Sequence, residues 1–246
     1  MSETANTPLR FAYTFDLGRE VRKNFTLDLD RKTLALITKT KEALPEWTRL
    51  DCQQCCNCPL TPSTHTSCPI AANITELIDF SRQFSGNDPV EITIATELRT
   101  FNKKTDLRSA LGAIFGIYMV SSGCPVMDKL RPLVRFHLPF ASAEESMARA
   151  MSMYLLAQYF LKRKGRPADW HMNDLQALYE NINIINFSLT QRLRVACASE
   201  ANFEALTGLD FFGQCVALSI SGKANQGMLK KLENLYQTSP APKRSP

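Results

Sequence analysis

Cys52–Pro69 reads CQQCCNCPLTPSTHTSCP and holds five of the chain's eight cysteines and one of its three histidines. Thiolates and imidazoles are the side chains that bind soft divalent metals, and no other stretch gathers them. Two residues separate Cys52 from Cys55 and Cys55 from Cys58. That spacing lets two sulfurs point into one tight turn, where an ion about 2.3 Å from each fits between them. Nine residues lie between Cys58 and Cys68, and six between Cys58 and His65. Pro59, Pro62 and Pro69, with Ser and Thr between them, predict an extended knuckle rather than a helix. A second CxxC, which would complete a four-ligand zinc pattern, is missing. The fourth ligand is expected from Cys124. It follows a break at Ser122-Gly123, shares a Cys-Pro dipeptide with Cys68, and is followed by Pro125, which fixes the chain beyond it. The expected metal ligands are therefore Cys55, Cys58, Cys68 and Cys124, holding Zn²⁺. His65, Cys52 and Cys56 are the alternatives for the fourth place. Cys56 is weakened by its position, because neighbouring side chains in an extended segment point apart.

Other thiol chemistries compete. Free cysteines are often small buried apolar residues, but five in a polar loop exceed that role. Cys52-x2-Cys55-x2-Cys58 followed by Cys68-Pro69 faintly resembles a ferredoxin run, although its last gap is nine residues rather than three. An iron–sulfur cluster or a redox-active thiol set is thus the alternative to zinc. Cys124 and His137 are the best nucleophile and base, thirteen positions apart, so only the fold could join them. His137 and Arg135 lie in an apolar linker, where a polar group serves structure before function. No dinucleotide or phosphate-binding glycine loop, HExxH or GxSxG occurs. The balance favours a non-catalytic binding or regulatory module with a protein partner over an enzyme.

CNCPL, Ser67-Cys68-Pro69, SSGCPVMDKL, RFHLPFAS and SMYLLAQYF together resemble an uncharacterised bacterial family of unknown function, over about Phe11 to Phe212. Its pattern is CxxCPL, a later CP, SGCP and HLPFA. Those motifs fall on Cys55, Cys58, Cys68, Cys124 and His137. The resemblance implies no activity, and it leaves Cys52 and Cys56 outside the pattern.

The elements that must carry these residues follow from periodicity. Leu9, Phe11, Tyr13, Phe15 and Leu17 alternate with polar residues, a half-buried strand. Gly18 turns the chain into a second strand with Val21, Phe25, Leu27 and Leu29, and Asp30-Arg31-Lys32 turns it again into an expected third over Leu34–Thr38. Helical spacing from Ile70 to Phe84 follows the knuckle. Val90, Ile92, Ile94 and Leu98 then alternate as a strand rejoining the sheet. Thr105 or Asp106 is expected to cap a helix to about Val120, with Gly112 and Gly116 packed closely on the sheet. Ser142-Ala143-Glu144-Glu145 is a capping box opening a helix that Gly165 ends. Asp174 to Ala198 reads as a long helix with Leu175, Leu178, Tyr179, Ile182, Ile185, Leu189 and Leu193 inward. Cys197 and Cys215 are expected in apolar helical faces, on this helix and on one over residues 201–220. A last helix spans about Lys223 to Tyr236. The expected class is α+β: a small antiparallel sheet from the N-terminal third, a cysteine-rich metal knuckle, and a helical C-terminal majority. One domain is expected over 9–237 (β-rich 9–100, knuckle 52–69, helical 105–237), with disordered tails at 1–8 and 238–246.

Composition agrees with a globular protein: 44% hydrophobic and 22% charged residues. A net charge of +5 without a basic stripe argues against nucleic acid. The longest apolar run, Ala110–Val120, is well short of the roughly 18 residues that span a bilayer. The polar first ten residues lack a signal peptide's apolar core, so the cytoplasm, where thiols stay reduced, is the expected compartment. The sequons at Asn24, Asn73 and Asn186 are then chance matches.

Overall fold

The computed structural model describes residues 7–18, 20–38, 43–196 and 226–238. Leu9, Phe11, Tyr13 and Phe15 of β1 (Leu9–Asp16) are buried, while Arg10 and Asp16 on its other face are exposed. The alternation thus does what its period requires. β2 (Arg22–Leu29) pairs antiparallel with β1, Tyr13 opposite Phe25. After the cysteine loop comes α1 (Pro69–Ser81), with Pro69 at its first position. β3 (Pro89–Ala95) returns to pair antiparallel with the other side of β1. β4 (Thr100–Asp106) closes a four-stranded antiparallel sheet in the order β2-β1-β3-β4. α2 (Leu107–Ser121) opens on Asp106, whose carboxylate accepts from Ser109 N, and it packs on α1, β3 and β4. A 3₁₀ segment, Met127–Phe136, follows. The class is α+β, with the sheet in the N-terminal part as expected.

α3 (Ala143–Arg163) begins with the capping box: Ser142 Oγ accepts from Glu145 N, and Glu145 Oε2 from Ser142 N. α4 (Asn173–Ala196) buries Leu175, Tyr179, Ile182, Ile185, Leu189 and Leu193, and half-buries Leu178. α5 is Gln226–Thr238. The chain forms two compact units, Met1–Phe140 with Ile184–Asp210, and Ala141–Asn183 with Phe211–Pro246. Within the second, α3 touches α5, and Tyr154 Oη donates to Asp169 at 2.8 Å. Cys197, Cys215, the helix expected over 201–220 and most of both tails lie outside the described residues.

Three expectations change. Leu34–Thr38 is no strand. Leu34 has φ 58°, outside the extended region, and a single bridge, Leu36 to Leu29, remains. The strand expected to run from Val90 to Leu98 ends at Ala95, and β4, which was not expected, extends the sheet to Asp106, the residue that caps α2 as expected. Its sequence, TFNKKTD, has one large apolar residue, because an edge strand with little buried surface shows no alternation. Gly116 does not pack closely: a Cβ added there would meet nothing within 4 Å.

Candidate metal centre

The cysteine loop is pinned at both ends by main chain. Leu50 N donates to Thr66 O at 3.0 Å and Cys68 N to Thr48 O at 2.8 Å, so the two ends lie side by side. Gln53, at φ 49°, turns the chain between Cys52 and Cys55. Cys58 N then donates to Cys55 O at 3.0 Å, the i to i+3 bond of a tight turn, and Gln54 Nε2 donates to Leu60 O at 3.0 Å. The CxxC spacing therefore forms the turn it predicts. Cys68 is the N-cap residue of α1, and its side chain makes no capping hydrogen bond. Cys124 comes from further along the chain. Gly123, at φ 91°, swings it out of α2, and its sulfur accepts from Val126 N and Met127 N at the start of the 3₁₀ segment.

These four cysteines share one cavity. Cys55, Cys58, Cys68 and Cys124 line one cavity of about 20 Å³, whose other walls are mostly apolar, Ile70, Val126, Ile185 and Leu189 among them, with Asn57 and Arg192 the polar members. That volume admits little more than one water-sized body. All six described cysteines are free thiols. Burial pushes the Cys55 thiol up to about 11; the Ser188 hydroxyl pulls it down, and Cys68, Cys58 and Cys124 push it further up. Burial also raises Cys124, against the two N–H donors, with Cys68 and Cys58 again adding repulsion. The thiols are thus close enough to oppose one another's ionisation. As placed, no group of three or more His, Cys, Asp or Glu side chains among the described residues could hold a metal ion. The donor set suits a soft ion in type and number, but the sulfurs must turn inward to share one.

The alternatives lie elsewhere. His65 is exposed at the loop tip, with Nδ1 3.0 Å from Thr64 Oγ1. Cys56 is exposed and Cys52 half-buried, and neither lines the cavity. His137 does not line it either. Its Nε2 lies 3.3 Å from the hydroxyl of fully buried Tyr13, and its ring meets Phe11 edge-on at 5.9 Å. Arg135 is exposed and acts through space on Glu97.

Two further residues belong to the site. Ser188 touches Cys55, and Arg192 lies in the cavity wall, both on α4. Ile185, Leu189 and Arg192 stand at i, i+4 and i+7, so Arg192 sits on the same stripe as residues read as inward. A charged residue on such a stripe was the available signal.

The chain matches a domain of unknown function, DUF6901, over residues 9–237. It belongs to that family. The DUF6901 match takes in all four cavity cysteines, His137 and α4. Comparison with curated proteins and with solved structures finds no match. Among the described residues, no helix is long and apolar enough to cross a membrane.

Proposed function

We propose that this is a metal-stabilised binding or regulatory module, in which Cys55, Cys58, Cys68 and Cys124 hold one structural Zn²⁺. One observation carries the reading: four cysteines from three separate parts of the first unit line a single small cavity. Four thiolates close a tetrahedral coordination sphere and leave no position for a substrate, so the centre staples rather than reacts. The linkage is to folding. The knuckle, the N-terminus of α1 and the exit of α2 would be held to one point, an arrangement the unfolded chain lacks. Leu60, Ile70, Ile185 and Leu189 make the walls around that point largely apolar. An iron–sulfur cluster would draw on the same thiolates.

Anaerobic purification followed by elemental and acid-labile sulfide analysis tests this. One zinc per chain, lost in Cys55→Ala and Cys124→Ala, is expected. Iron with sulfide and a brown colour would replace zinc by a cluster on the same residues. Neither metal, together with full reactivity of the four thiols, would overturn the reading.

A further inference from the structure

Arg192 is 2% exposed. Its guanidinium donates to three main-chain carbonyls: Trp47 O at 2.8 Å, Leu50 O at 3.3 Å and Arg49 O. Among the described residues, none of its hydrogen-bond partners is a carboxylate. Asp51 feels its charge through space, but the Asp51 oxygens are taken by Arg49 Nε and Nη2, at 3.1 and 2.8 Å, on the surface. Carbonyl dipoles satisfy the N–H groups; they do not supply a counter-charge. Buried charges are otherwise paired, because taking an ion out of water costs several kcal/mol. Arg192 lines the thiol cavity, whose remaining walls are mostly apolar. In such surroundings a charge acts more strongly than it does in water.

We propose that Arg192 is the counter-charge of a net-negative thiolate centre, held in the cavity wall by its carbonyl clamp. This rests on the four-thiolate reading. Four thiolates on a divalent cation leave a net charge of −2, since the ion offsets two of the four. A buried guanidinium beside them recovers what it loses by leaving water. The same clamp spans the loop's entry, so the residue that balances the charge also sets the position of Cys52–Cys58. Arg192 is in this sense a positioning residue, and its charge and its hydrogen bonds can be separated by substitution.

The test uses the full chain, stripped of metal under anaerobic conditions and titrated with Co²⁺ against a competing chelator. Sulfur-to-cobalt charge-transfer absorption reports thiolate ligation. Arg192→Lys keeps the charge and loses the fork. Arg192→Gln keeps amide donors for the carbonyls and loses the charge. Expected is about a tenfold or greater loss of Co²⁺ affinity in R192Q, and a smaller loss in R192K. R192Q loses bonds of the carbonyl clamp and so loses stability in both states, and the counter-charge shows as a larger loss with metal bound than without. A clamp without an electrostatic role gives the opposite pattern: both variants lose stability equally with and without metal, and affinity is unchanged. That result overturns the proposal. If R192Q does not fold, Arg192→Met, uncharged and of similar length, takes its place: a tenfold or greater loss of Co²⁺ affinity supports the counter-charge, and unchanged affinity overturns it. A parent chain that takes up no Co²⁺ removes the centre itself, and Arg192's role falls with it. Failure of the centre is thereby distinct from failure of the counter-charge.

Discussion

Removing Cys124 and removing His65 should have opposite consequences for metal content. Cys124 lines the cavity with Cys55, Cys58 and Cys68, whereas His65 is exposed and bound to Thr64. Cys124→Ala is expected to lose most bound metal and His65→Ala to keep it. The reverse result would make the site a local Cys₃His knuckle. His137 belongs to another environment. It helps satisfy the Tyr13 hydroxyl, which also donates to Ala113 O at 3.3 Å. His137→Ala should therefore lower stability by about 1–3 kcal/mol in urea unfolding, with metal content unchanged. A metal-content change in that variant would tie His137 to the thiols after all. The sequon at Asn186 is closed by its burial, 2% exposed, so that side chain offers no acceptor on the folded surface.

At the scale of elements, the helix caps offer a clean measurement. Ser142→Ala removes the acceptor for Glu145 N and should cost about 1 kcal/mol, read from unfolding of the second unit. Gly123→Ala is predicted to cost more than an exposed loop substitution normally does. An added Cβ there meets no neighbour within 4 Å, so its cost comes from φ 91° alone. If the alanine forces that bond from its left-handed setting, Cys124 moves with it, and metal affinity falls together with stability. These elements were readable in advance because each rests on local chemistry: alternation in β1, a capping box in α3, Pro69 opening α1. β4 was not readable, because an edge strand of Thr, Asn and Lys buries too little to show a period. Leu34–Thr38 misled for the converse reason: its apolar residues suggested a strand, but Leu34's backbone breaks it. The cavity itself was half legible. Cys spacing pointed to Cys55, Cys58 and Cys68, and the helix break at Ser122-Gly123 pointed to Cys124. Arg192's place on the inward stripe of α4 was a signal that the residue is buried, but only the packing of α4 shows that it and Ser188 reach the thiols.

For the molecule as a whole, the thiols set a pH dependence whose sign should reverse with metal. In the metal-free protein the Cys55 thiol is raised to about 11, against about 8.5 in an unfolded chain. The folded state thus holds its proton longer. That contribution to stability is complete below about pH 8.5 and is lost as pH rises through about 11. Tyr118, raised to about 12 by burial, acts in the same direction, so the Cys55 share is the difference between the parent and Cys55→Ala. With metal bound, the folded state holds thiolates while the unfolded chain below pH 8.5 binds protons. Stability then falls as pH falls, because protons compete with the ion for sulfur. Urea midpoints should accordingly be level up to about pH 8.5 and slope down above it in the metal-free protein, and slope up with rising pH, below about pH 8.5, in the loaded one. The size of the metal effect is fixed by mass action. Free metal at a thousand times its Kd adds about 4 kcal/mol, which raises Tm by about 8–16 °C in a chain of this size. Chelation or Cys58→Ser should remove that increment in full. If verified metal removal leaves Tm and the pH slope unchanged, the four thiols are not a staple, and the metal they hold is dispensable to the fold or serves redox chemistry.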